Sequence, residues 1–281
     1  METRRLRLLV ELARLGSMRE VAEEMGLTTS TVSQQLAILA RDVGTPLVEP
    51  EGRRVRLTPA GRRLAGHGVT ILAAVEAARL DLNPGAEPTG SLRVAGFATA
   101  IRRSLLPVQE LLSVRHRAVR LLIHEHEPSE AFALLDTDDV DLALTYDYNL
   151  APAAFPNRYE TRRLWDVPWG LGVPAGMPMA EAWTQDWIVN SRNTADEDVV
   201  RTLSALNGHE PRIVHRCDSL DLVDDLIVAG LGVGLLPADV PPRDGVDLLP
   251  LASPRVDLRA YAVIRRGRGT WPPLALVLGL L

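Results

Sequence analysis

Apolar positions in the first eighty residues recur every three or four places. Leu6, Leu9, Val10 and Ala13 fall on one face of a helix predicted over 4–15. Val21, Ala22 and Met25 do the same over 18–25, with Ser17 placed to cap that helix. Gly26 makes a turn, Thr28 offers an N-cap, and Val32, Leu36 and Leu39 line a third helix over about 29–41. The stretch PLVEPEGRRVRLTP then reads as two short strands turning near Glu51 and Gly52. Thr58 and Pro59 open a long helix that runs to about Leu82, and NPGAEPTG (83–90) has the composition of a linker.

From Ser91 the apolar runs shorten. LRVAGF, VRLLIH, VDLALTY, PWGLGV, DWIVN, PRIVHR, GVGLLP and RAYAVI read as strands. Helical segments over 103–114, 128–135, 196–206 and 219–229 separate many of them. Strands alternating with helices predict an α/β architecture with a largely parallel sheet.

The polar character of the third helix asks for a reason. In EVAEEMGLTTSTVSQQLAIL, Ala22, Gly26, Leu27 and Val32 fill the places a helix-turn-helix needs: small contact residue, turn glycine and apolar locks. The face left outward carries Thr29, Ser30, Ser33 and Gln34, and base edges are read by hydrogen bonds. The hairpin that follows, with Arg53, Arg54 and Arg56, makes a wing whose arginines reach phosphate or a narrow minor groove. A solvated helix in a plain bundle is the alternative; the wing following at the right place speaks against it. Leu64, Gly68, Ile71, Val75, Ala78 and Leu82 are spaced 4-3-4-3-4, a coiled-coil seam suited to dimerisation. The alternative there is a helix packed on its own domain.

Charge fits this division. Residues 1–83 hold 12 Arg against 10 acids, a balance of +2, and the remainder holds 19 Arg against 26 acids, a balance of -7. This split allows a first segment that meets a polyanion and an acidic remainder that does not. No apolar run approaches the ~20 residues of a membrane span. The start is charged throughout, and the single cysteine, Cys217, excludes an intrachain disulfide. A cytoplasmic protein without membrane association is expected.

The chain resembles the LysR-type transcriptional regulators over nearly its whole length. The resemblance rests on VAEEMGLTTSTVSQQLAIL, on LTPAGRRL at the start of the long helix, and on LIVAGLGVGLLP at 226–237. It departs at Ala40, where the family usually has glutamate, and at Val48 and Pro50, which replace the Phe and Arg of a Leu-Phe-x-Arg motif. A phosphate contact from position 50 is therefore not expected. The resemblance implies a winged helix-turn-helix domain over 1–58, a dimerising linker helix and hinge over 59–89, and a regulatory domain over 90–281. That domain would be two-lobed, like a periplasmic binding protein, with lobe I at 90–165 and 241–281 and lobe II at 166–240. The implied partners are double-stranded DNA, contacted by Thr29, Ser30, Ser33, Gln34 and Arg53 or Arg54, a second copy or three, and a small effector between the lobes.

Ligands in open α/β sheets sit beyond the carboxyl ends of strands. That points to Ala98, Thr99, Ala100, Thr145, Tyr146, Asn190 and Ser191, with Ser219 opening a lobe II helix. Thr99 at a helix N-terminus, with Arg102 or Arg103 near, favours a small carboxylate as effector. Ordinary caps and turns are the competing reading of each residue. Other chemistry is weaker. His124 and His126 share a strand face but have no third metal ligand. GLGVG (230–234) precedes a strand, whereas a dinucleotide loop opens a helix. Cys217 reads as a buried thiol before a redox sensor. No cofactor is expected, and the absence of a catalytic constellation such as G-x-S-x-G argues against an enzyme. A regulator whose α/β part serves only oligomerisation or partner binding is the runner-up, since aromatics are only 4% of the chain.

Overall fold

The computed structural model describes residues 1–52, 55–83 and 86–281 and, at Arg54, the backbone. Three helices begin the chain: α1 (Thr3–Leu15), α2 (Met18–Glu24) and α3 (Thr29–Val43). Their ends are locally encoded. Gly16 closes α1 at φ 68°, and the Ser17 hydroxyl accepts the Glu20 amide to start α2. Thr28 accepts the Thr31 amide at 3.2 Å to start α3. Leu8, Leu9, Leu12, Val21, Val32, Leu36 and Leu39 meet in one core, closed below by Leu47 and Leu57. Strands β1 (Val48–Glu51) and β2 (Arg54–Leu57) pair antiparallel as the wing.

Helix α4 (Pro59–Asp81) leaves the wing at a rigid joint. Thr58 accepts the Gly61 amide at 3.0 Å and donates to the Pro46 carbonyl at 2.8 Å. Gly61 is pressed on the chain before the wing, so that an added Cβ would stand 2.1 Å from the Leu47 carbonyl oxygen. Further along, α4 buries Ala65, Gly68, Val69, Leu72 and Ala73. Gly68 is the correction to the seam. An added Cβ there would lie 2.8 Å from the Val10 side chain, so Gly68 packs within its own chain. Ile71 and Val75 are half-buried, Ala78 is exposed, and Leu82 is 83% exposed.

The second part is one curled nine-stranded sheet flanked by helices. Its elements are β3 (Gly90–Gly96), α5 (Ala98–Ala100) continuing through a π-helical turn (Ile101–Leu105) into α6 (Leu106–Arg115), β4 (Val119–Glu125), α7 (Pro128–Asp136), β5 (Leu142–Tyr148) and β6 (Tyr159–Pro174). Then come α8 (Met179–Ala182), β7 (Asp186–Val189), α9 (Ala195–Leu206), β8 (Arg212–Arg216), α10 (Leu220–Val228), β9 (Val233–Pro237), β10 (Val246–Pro250), β11 (Val256–Arg265) and α11 (Pro272–Leu280). The order is β4-β3-β5-β11-β6-β9-β7-β8, with β10 also on β6. Two parallel groups, β4-β3-β5 and β9-β7-β8, are joined by antiparallel strands.

The lobe boundaries fall later than expected. β6 pairs with β11 from Tyr159 to Trp169, in lobe I, and continues unbroken to pair with β9 and β10 over 169–174, in lobe II. The outward crossing is therefore mid-strand near Trp169. The return follows β10, because Val246 and Leu248 pack with Ile227 and Leu236 of lobe II. Among the described residues, no helix is long and apolar enough to cross a membrane.

Lobe I also meets the linker helix. Asp141 accepts Arg93 (2.9 and 3.1 Å) and Arg268 (2.9 Å), and these guanidiniums outweigh burial to hold its carboxyl below the usual range. Gly267 lies on α4, where an added Cβ would be 2.6 Å from the Thr70 hydroxyl.

Gly61→Ala must move backbone, and overpacking of that kind costs about 3 kcal/mol. The expected outcome is a lower urea midpoint for the full chain. Gly279→Ala, with open space around it, should change the midpoint little.

Candidate functional site

Two surfaces gather the polar residues left over from folding. On α3, Val32, Leu36 and Leu39 are fully buried, while Thr29, Ser30, Ser33 and Gln34 are all exposed. The back of the helix is tied to α1. Arg5 donates to the Gln35 carboxamide oxygen and to Asp42, each at 3.0 Å. Gln35 is thereby occupied, whereas Gln34 beside it is exposed and has no hydrogen-bond partner among the described residues. In the wing, Arg56 is taken up by Glu49 at 2.7 Å. Arg54 opens β2 opposite Glu51, and Arg53 lies outside the described residues.

The second surface is a cleft of about 550 Å³ between the lobes. Ala98, Thr99, Tyr146, Asn190, Ser191 and Ser219 line it. Ala100 and Thr145 do not; both are fully buried. Side chains alternate along a strand, so Tyr146 faces the cleft and its neighbour Thr145 faces away. Ala100 is turned inward by the short helix it ends. The same alternation brings in Tyr148, which the sequence reading passed over. Trp169, at the lobe crossing, was also missed, as were Glu127 and Asp196. Pro128 was the available signal for Glu127, because a proline at N1 marks the preceding residue as a helix N-cap at a strand's carboxyl end.

Glu127 is 5% exposed. The Tyr146 hydroxyl donates to it at 2.8 Å, and the Glu127 amide donates to Glu130 at 3.0 Å in a capping box. Burial holds the Glu127 carboxyl above its usual range. Burial also pushes the Asp196 carboxyl to about 7. Its Oδ1 is shut off from solvent and has no hydrogen-bond partner among the described residues.

Asp218 is different. Burial works against its charge, but the Ser191 amide (2.9 Å), the Ser191 hydroxyl (2.5 Å) and Arg192 (2.6 Å) hold it below the usual carboxylate range. Arg192 also reaches Glu130 of lobe I at 3.2 Å, an ion pair across the cleft. Arg103 pairs with Asp239 of lobe II and lies 4.8 Å from the Trp165 ring, so it is not free to face a ligand.

The lining is acidic. Glu125, Glu127, Asp196, Asp218 and Asp221 face it, against Arg102 as the basic side chain among the lining residues. This charge balance lends no support to the carboxylate expected from Thr99 and its arginines.

The minor candidates find ordinary places. Cys217 is 8% exposed at the cleft floor, and burial raises its thiol away from the reactive thiolate form. The rings of His124 and His126 stack 6.5 Å apart, and among the described residues no group of three His, Cys, Asp or Glu is placed to hold a metal. In GLGVG, an added Cβ at Gly232 would stand 2.3 Å from the Asp186 carbonyl oxygen. That glycine lets the start of β9 approach β7.

With this geometry in hand, the chain can be set beside known proteins. Residues 3–62 match the bacterial regulatory helix-turn-helix protein, lysR family, and residues 85–281 match the LysR substrate binding domain. The transcriptional dual regulator GltC of Bacillus subtilis (strain 168) is 27% identical over 279 residues, spanning 94% of this chain and 91% of that protein. The DNA-binding transcriptional dual regulator OxyR of Escherichia coli (strain K12) is 26% identical over 281 residues, spanning 95% and 90%. Full-length OxyR from Pseudomonas aeruginosa has the same fold, with a TM-score of 0.71 at 20% identity over 100% of this chain and 93% of that one. ArgP from Mycobacterium tuberculosis gives a TM-score of 0.68 at 22% identity over 98% and 97%. The chain belongs to the LysR family, and it is a DNA-binding transcriptional regulator in which a helix-turn-helix domain is joined to a substrate-binding domain for small-molecule effectors.

Proposed function

We propose that this regulator reads its operator with Thr29, Ser30, Ser33 and Gln34 of α3, and steadies the duplex with Arg53 and Arg54 of the wing. The support is the exposed polar face of a helix whose other face is locked into the core. The protein works in the cytoplasm, as dimers or tetramers. LysR regulators are oligomeric, and we assign one contact to α4. Ile71, Val75, Ala78 and Leu82 remain an apolar stripe spaced 4-3-4 outside the face that α4 buries in its own chain.

The effector binds between the lobes. One observation carries this reading: the space between the lobes is open, about 550 Å³, and is not filled by the protein's own side chains. Both lobes contribute to its wall, so a ligand that prefers one lobe arrangement shifts the population of that arrangement. The runner-up, a domain that only assembles, gives no reason for such a space to persist.

Gln34→Ala should cost ~1–3 kcal/mol of operator binding and relax preference at one base pair. Unchanged affinity and preference across an operator library would contradict the assignment of α3. Ile71→Asp puts a charge beside its symmetry mate, which is unfavourable without a partner. Sedimentation should show a shift towards monomer, and an unaltered oligomer would place the contact elsewhere. Ala98→Trp plugs the cleft. A reporter driven from the regulator's own promoter region should then stop changing between growth conditions that change it in the parent strain. A reporter that still responds would remove the cleft from the signalling path.

A further inference from the structure

We propose that the effector carries a positive group, an alkylammonium or guanidinium, seated between Glu127 of lobe I and Asp196 of lobe II. This rests on the reading of the cleft as the effector site and adds the chemical class of what fills it.

Each acid in the cleft can be asked what neutralises it. Asp218 has Arg192, and Arg192 is also engaged by Glu130. Glu127 receives the neutral Tyr146 hydroxyl, and the cation that acts on it, Arg192, is already committed to Asp218 and Glu130. Asp196 leaves an enclosed oxygen without a partner among the described residues. Arg102, the basic lining residue, is exposed. A buried carboxyl of lobe I and a half-buried one of lobe II, with one oxygen enclosed, thus share a cavity in which Arg192 is already paired elsewhere. The upward displacement of both from their ordinary ionisation follows from that environment, and a bound cation would reverse it.

The apolar wall suits the same guest. Phe97 and Tyr146 pack edge to face at 4.6 Å, and Tyr148 and Trp169 do so at 5.5 Å. Tyr146, Tyr148, Phe97 and Trp169 all line the cleft. Aromatic faces attract alkylammonium and guanidinium groups and give carboxylates nothing comparable. A cation also has a physical reason to act as a switch. Closing the lobes on an empty cleft presses two acids together, whereas closing them on a cation satisfies both. The ligand therefore favours the closed arrangement by an interaction that the open one lacks.

The test uses the full-length chain with putrescine, agmatine, L-lysine, succinate and benzoate at matched ionic strength. Melting temperature and calorimetric titration are the readouts. At least one of the three amines should raise the melting temperature and bind, while succinate and benzoate should not. Glu127→Gln and Asp196→Asn should each weaken that binding by about tenfold or more, the size expected when a charged partner is lost. Each substitution removes a charge and keeps the shape, so the unliganded melting temperature should hold or rise. Binding of the acids but of no amine would overturn the charge class and leave the cleft as effector site. Amine binding that survives both substitutions would place the cation elsewhere and overturn the proposal. Failure of every amine would also overturn it. The cleft reading falls too only if the Ala98→Trp reporter still responds.

Discussion

The regulatory domain depends on one continuous strand, β6. β6 runs for 16 residues, bonded first to β11 and then to β9 and β10. A domain crossing usually falls in a loop, where conformational freedom is large. Here the outward crossing is in mid-strand, so the lobes are held by hydrogen bonds that also limit how far they separate. The expected motion is a flexing of twisted strands about Trp169. The cleft is open because the sheet curls at this point, and its walls are strand ends because the sheet is parallel on either side.

Two kinds of ion pair occur in the regulatory domain and play opposite parts. Asp141 with Arg93 and Arg268 is enclosed and satisfied, and it ties β3, β5 and the segment after β11 together within lobe I. Arg192 with Glu130 and Arg103 with Asp239 span the lobes at exposed positions, where solvent screens them and each is worth little. The strong pairs are where nothing has to move. The weak ones are where the lobes must part.

Periodicity exposed most of the fold. Leu36 and Leu39 repeat at helical spacing in the first domain, and Thr28 and Thr58 mark helix starts by their hydroxyls. The first half of β6 stayed hidden because Glu160, Arg162, Arg163 and Asp166 make it polar, and its strand character comes from pairing with β11, 93 to 106 residues away in sequence. Gly68 fitted a seam by spacing alone. Only tertiary packing could reveal that Leu6 and Val10 already occupy its face. Strand ends located the cleft well, since Thr99, Tyr146 and Asn190 all line it. Its charge was not legible, because Glu127 and Asp196 come from different lobes and are brought together only by the curl of the sheet.

The joint at Thr58 has a consequence for length. The wing, the cap and the start of α4 are locked together by Thr58, Pro46 and Gly61, so the helix cannot swivel on its domain. Its 23 residues then act as a ruler of about 34 Å at 1.5 Å per residue. One turn of duplex DNA measures roughly the same, ~34–36 Å. Residue number in α4 thus becomes a unit of operator geometry. Adding a single residue would lengthen the ruler by about 1.5 Å and rotate everything beyond it by roughly 100°. Insertions in this helix would be felt as a change in which DNA sites two joined copies can span.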